Sequence, residues 1–160
     1  MAGKKHKAHK PLPAEALSAS SLFDVDMTAS AEAVYKNLYH LAKNAERRGD
    51  YTSSHITRFD MVRDAIKRII PSDPLNKKHA LRGELSNLFR LKKGRTRICW
   101  IASSKLHRVC IMFISETLRK EGDVNDPYLI LQNMVSAGTF DAIFTQFGLR
   151  MPKLRTGKPQ

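Results

Sequence analysis

Two stretches close together in the chain, "ICWIA" (98–102) and "VCIMFI" (109–114), are apolar at every position. Successive side chains of a β-strand point to opposite faces, so such strands present apolar surface on both sides. A strand of that kind belongs in the middle of a sheet that is covered above and below. Alternation would set Ile98 and Trp100 against Cys99 and Ile101. It would likewise set Val109, Ile111 and Phe113 against Cys110, Met112 and Ile114. The rest of the chain must therefore supply two covers.

The first cover precedes the strands. Ser30 is suited to cap a helix running to about Arg48, with Gly49 just past its end. Ala33, Val34, Leu38, Leu41 and Ala45 recur along it at helical spacing. Thr52 or Ser53 can cap a second helix with a wide apolar face, from Ile56 and Phe59 to Ile69 and Ile70, which Pro71 ends. The short connection makes the two an antiparallel hairpin. Four strands are expected near 79–85, 88–92, 95–103 and 107–115, joined by turns short enough for antiparallel neighbours. The second cover follows them. Asp126 and Pro127 open a helix that Gly138 closes, and Thr139 caps a shorter one carrying Phe140, Ile143, Phe144 and Phe147. The expected fold is α+β, with an N-terminal helical hairpin packed on a four-stranded antiparallel sheet and short C-terminal helices. It occupies residues 29–148, between a basic, largely disordered tail at 1–28 and a second basic tail at 149–160.

Charge says what such a domain meets. The net charge is +13, a field that draws nucleic acid, anionic lipid or an acidic partner. No apolar run reaches membrane-spanning length, and no signal-peptide core is present, so the expected setting is the cytoplasm with no membrane partner. Cys99 and Cys110 lie within the apolar strands and read as core thiols in a reducing compartment. His6 and His9 stand in a lysine-rich arm without thiolate or carboxylate between them, and read as part of that arm.

The cations cluster. Residues 77–97 hold eight Lys or Arg against one acid, Glu84. A turn at Lys93-Gly94 would set Arg95 beside Lys92 and Arg97 near Arg90. Alternation would point Arg95 and Arg97 to one face, and the next hairpin would bring them to Ser115 and Glu116. Arg82, Lys93 and Arg119 add to the same end. Crowded like charges repel, so an anionic partner is the economical explanation; the alternative is a strand edge kept from aggregating by its charge.

Three segments, "GRTRICW" (94–100), "SETLRKEG" (115–122) and "DPYLILQNMVSAG" (126–138), in that order and spacing, resemble the YhaV-type toxins of the RelE/ParE superfamily. Thr96 stands where that group has an aromatic, Glu121 where it has a tyrosine, and its Trp-Asn-Asp lead-in to the acidic segment is absent. The resemblance implies a RelE-like fold and a metal-independent endoribonuclease that cuts messenger RNA, often on the ribosome. It also implies silencing by a cognate antitoxin, of the PrlF/AbrB kind. No cofactor and no metal are expected.

Metal-free RNA cleavage needs a proton acceptor for the 2′-hydroxyl, cations on the pentacovalent phosphate and a proton donor for the leaving 5′-oxygen. Arg95 and Arg97 suit the phosphate, because a guanidinium grips two oxygens at once. Lys92 can share that role or act as a base. Glu116 is a candidate base or an ion-pair partner that orients an arginine. Tyr128 is a candidate acid or stacking ring, or a packing residue. Arg82, Arg90, Lys92, Lys93 and Arg119 are candidates for binding the RNA strand. Two further readings share the charge pattern: a ParE-like, non-enzymatic topoisomerase inhibitor and a plain basic nucleic-acid-binding module.

Overall fold

The computed structural model describes residues 21–115 and 127–150; for Glu84, Pro127, Tyr128 and Ile130 only the backbone is described. Strand β1 (Asp24–Met27) leads into helix α1 (Ala29–Arg47). Helix α2 (Ser54–Asp64) continues through a π-helical stretch, Ala65–Ile69, into a last turn, Ile70–Ser72. Two 3₁₀ turns, Lys77–His79 and Gly83–Leu85, precede strands β2 (Phe89–Lys93), β3 (Thr96–Ser103) and β4 (Arg108–Ser115). Helices α3 (Pro127–Ser136) and α4 (Asp141–Gln146) follow. Among the described residues no helix is long and apolar enough to cross a membrane.

The sheet has four strands in the order β1-β4-β3-β2, so the two strands that are apolar on both faces are the central ones. β2, β3 and β4 form the expected antiparallel meander. The fourth strand is not the expected one. Residues 79–85 turn instead of extending: the Asn76 side chain accepts from Lys78 N at 3.0 Å, and Gly83 has φ +64°. Only Ala80 bridges to Phe89. The edge is filled by β1, which pairs parallel to β4, so the sheet is mixed rather than purely antiparallel. β1 lies in the stretch expected to be tail, and the folded domain accordingly begins before residue 29. Its Val25 and Met27 pack beneath α1, while Asp26 pairs with Arg108 across the strands.

Helix α1 is capped by Thr28 rather than Ser30. The Thr28 hydroxyl accepts from Ala31 N at 3.2 Å and donates to the Met112 carbonyl at 2.9 Å. That second bond meets a specific need. Cys99 lies opposite Phe113 but Trp100 lies opposite Ile111, so Met112 bulges out of the ladder. The bulge also resets the faces. Ile114 joins Val109 and Ile111, whereas Phe113, half-buried, sides with Cys110 and Met112. Ser53 caps α2 as expected, and α2 outruns Pro71 by one residue. Phe140, not Thr139, precedes α4, without a side-chain cap.

Two cores result. The first, between the sheet and α1–α2, gathers Leu38, Val62, Ile66, Ile98, Trp100 and Ile111. The second, beneath α3–α4, gathers Ile101, Met112, Leu131, Phe140 and Phe144, with Leu81, Leu85 and Leu88 from the turns before β2. Trp100 is 1% exposed, and its Nε1 donates to the Pro74 carbonyl at 2.9 Å. Burying a side chain of this size stabilises the fold by roughly 3 kcal/mol, and the hydrogen bond keeps the indole N–H satisfied. Because Pro74 lies on the link from α2 to β2, Trp100 also fixes the path of that link.

Candidate nucleic-acid site

The cations of the β2–β3 hairpin are sorted by the pleat. Lys92 lies directly opposite Arg97, Arg90 opposite Cys99, and Arg97 opposite Ser115. Directly opposed residues share a face, so Arg90, Lys92 and Arg97 lie on the Cys99 side, the side that α3 and α4 cover. Like charges opposed across a ladder are destabilising, and this chain carries such a pair at Lys92 and Arg97. The Arg97 Nη1 donates to the Gly94 carbonyl at 3.2 Å, which holds the guanidinium near the hairpin turn. Lys92 is exposed, and Arg90 and Arg97 are half-buried.

Electrostatics agree with this placement. The Cys99 thiol is pushed up to about 12 by burial, with Arg90 and Arg97 pulling the other way. Both guanidiniums therefore act on that side of β3. Cys110 is also raised to about 12, by burial and then by Asp26. Both cysteines are protonated at neutral pH, so neither supplies a thiolate nucleophile or base.

Not every predicted residue joins the row. Lys93 ends β2 on the opposite face, and its charge acts on Asp64 of α2. That carboxyl is held below the ordinary range first by its hydrogen bonds from Arg68, with Lys93 among the further cations. The hairpin tip leans on the same helix: a Cβ on Gly94 would come within 3.6 Å of Met61 Cε. Arg95 was expected in a strand, on the face of Arg97. The two-residue turn is Gly94-Arg95 rather than Lys93-Gly94, so Arg95 is an exposed turn residue outside the alternation. Arg82 is exposed ahead of the second 3₁₀ turn. Glu116 and Arg119 lie outside the described residues; Tyr128 falls on the first turn of α3, and its side chain is not described.

A residue that sequence reasoning passed over stands beside the row. His79 lies between Lys78 and the Ala80–Phe89 bridge, its ring centroid 5.8 Å from that of Trp100. Burial, ahead of the Lys78 charge, holds its pKa below the ordinary value, with the nearby Arg90 backbone pulling the other way. The Asn76 cap and Gly83 were the local signals that this segment turns. Among the described residues no three His, Cys, Asp or Glu side chains gather as metal ligands would.

Comparison with known proteins gives two findings. The family model for YhaV toxins, described as "Toxin with endonuclease activity, of toxin-antitoxin system", matches residues 22–149. The match starts just ahead of β1 and so includes the edge strand. Among solved structures, the RelBE2 toxin-antitoxin complex from Mycobacterium tuberculosis is similar at 18% identity, over 61% of this chain and 94% of that one, with a TM-score of 0.44. No curated protein matches the chain.

Proposed function

The chain belongs to the YhaV family of toxins with endonuclease activity, of toxin-antitoxin systems, and we propose that its substrate is messenger RNA, cut without a metal ion. The observation that carries this reading is the row of Arg90, Lys92 and Arg97 on one face of the sheet. A row of cations along two paired strands matches the spaced phosphates of a single strand.

In this mechanism the 2′-hydroxyl gives its proton to a base and attacks the neighbouring phosphorus, the bond to the 5′-oxygen breaks, and an acid protonates that oxygen, leaving a 2′,3′-cyclic phosphate and a 5′-hydroxyl. Arg97 and Lys92 hold the charge that grows on the phosphate oxygens, and Arg90 positions the strand. The proton carriers come from later in the chain. Glu116 follows Ser115, the partner of Arg97, and is the base; Tyr128, at the start of α3, is the acid. Arg82 and Arg119 add long-range attraction. Arg95, on the turn, steers RNA and contributes less to the chemical step than Arg97. An antitoxin of the PrlF/AbrB kind silences the toxin by placing acidic groups on the row, and the cut stops translation in the cytoplasm.

The test is cleavage of RNA by the purified full chain in EDTA, with and without ribosomes. Cutting in EDTA that is lost in Arg97→Ala supports the reading. A protein that arrests growth and cuts no RNA under either condition would move it to the topoisomerase-inhibitor class. RNA binding without cutting or growth arrest would leave a plain binding module.

A further inference from the structure

Beside the row lies a cleft of about 460 Å³, lined by Lys78, His79, Arg82, Leu85, Arg90 and Gln132 among others. Its volume is in the range of small-ligand pockets, about 300–1,000 Å³. Arg90 belongs both to this cleft and to the cation row, two residues along β2 from Lys92. The cleft therefore opens onto the row about 7 Å from Lys92, at a strand's rise per residue. Its walls differ in chemistry. Lys78, Arg82 and Arg90 are cationic, and Leu81 and Leu85 are apolar. His79 and Gln132 are neutral hydrogen-bonding groups placed from two sides, the link before β2 and helix α3.

We propose that this cleft takes one unstacked nucleotide of the RNA, adjacent to the cut, and reads its base through His79 and Gln132. It rests on the nuclease reading above and adds what sets the cleavage preference. Single-stranded RNA is read by splaying bases out, seating them against apolar or planar groups and hydrogen-bonding their edges. The leucines and the imidazole ring offer the seat. The neutral His79 imidazole offers one donor and one acceptor nitrogen. The Gln132 amide offers a donor and an acceptor. Together they make a donor–acceptor pattern that a single base edge can match, while the surrounding cations hold its phosphate. The His79 ring packs against Trp100, which restrains it before RNA arrives.

The experiment maps the cuts made by the full-length wild type, His79→Ala and Gln132→Ala in a random-sequence RNA pool. Binding is measured in parallel with a cleavage-silent Arg97→Ala background and short oligoribonucleotides that differ at one position. The expected result is a wild-type preference of about tenfold or more at one position next to the cut, flattened by either substitution. The same position should lose its discrimination in the binding assay. Gln132 is on the surface of α3, so its substitution reports even if His79→Ala disturbs Trp100. Variants that keep the wild-type preference, whatever their rate, would overturn the subsite and leave the nuclease standing. A wild type that cuts with no preference at any position would do the same. A wild type that neither cuts nor binds RNA would sink the nuclease reading itself.

Discussion

The two faces of the sheet are finished differently. Under α1 and α2 the apolar surface is covered to the tip of the hairpin, where Gly94 approaches Met61 and Lys93 reaches toward Asp64. On the other face Cys99, Ile101 and Met112 are covered, but toward the same tip the surface becomes Arg90, Lys92 and Arg97. The described helices differ in length in the same sense. α1 has 19 residues, about 28 Å, which matches the eight residues of β3, about 26 Å. α3 and α4 have 10 and 6 residues, about 15 Å and 9 Å, and neither spans the strands. One face is built for stability over its whole length. Among the described residues the other has less cover at one end and carries charge there.

The largest effect should come from the covered face. Trp100→Ala removes a buried ring and orphans the Pro74 carbonyl, and is expected to cost roughly 3–5 kcal/mol in urea unfolding. Activity would vanish with the fold. If Trp100→Ala stays as stable as the wild type, the first core is not what holds the sheet.

Arg97→Ala should do the reverse. It opens no cavity, so stability should stay within about 0.5 kcal/mol, while the cleavage rate falls about 100-fold or more. Arg95→Ala should fall less, and its deficit should shrink at high salt, where screening already weakens steering, whereas the Lys92→Ala deficit should persist there. Lys93→Ala is the sharpest probe of the two faces. It neighbours Lys92 in sequence but lies on the other side, so cleavage should change little. Equal losses for Lys92→Ala and Lys93→Ala in single-turnover assays would show that the pleat does not sort these cations by function.

The pH dependence of stability should carry a signature of His79. Its folded pKa is lowered, so its contribution is present above the unfolded value of about 6.5 and is lost as pH falls through the folded value. Urea midpoints should therefore drop in mildly acid buffer, and His79→Gln should remove that part of the drop. An unchanged profile in His79→Gln would mean that the ring is not desolvated in solution.

Much of this contrast was legible in the sequence. The doubly apolar strands announced a central pair with two covers, and helical spacing supplied both. What failed was non-local or depended on a single residue. β1 pairs with a strand more than 80 residues later, and although Asp-Val-Asp-Met alternates, four residues are too short a run to stand out. The 79–85 segment has leucines at strand-like spacing, yet Leu81 and Leu85 reach the second core from turns. At the hairpin, moving the turn by one residue takes Arg95 out of the strand, because register is all-or-none for the faces. The Met112 bulge exchanged Phe113 and Ile114 in the same way. His79 had no motif to mark it; only the folded link brings it to Arg90 and Gln132.

The smallest expected effect lies where the two faces meet the hairpin. Thr96 is 1% exposed, and its hydroxyl has no hydrogen-bond partner among the described residues. It points, like Ile98 and Trp100, toward the covered face. A buried hydroxyl without a partner carries a desolvation cost that a methyl of the same shape does not. Thr96→Val keeps the β-branched shape that suits a strand, so it should raise stability by about 1 kcal/mol. Cleavage should not change, because Thr96 faces away from Arg97 and makes no hydrogen bond to it. The urea midpoint and the single-turnover rate measure the two separately. A stabilised variant with an unaltered rate would confirm that this end of the covered face serves packing alone. A slower one would mean that the Thr96 hydroxyl meets RNA or a proton carrier, and that the division between the faces breaks down at the hairpin.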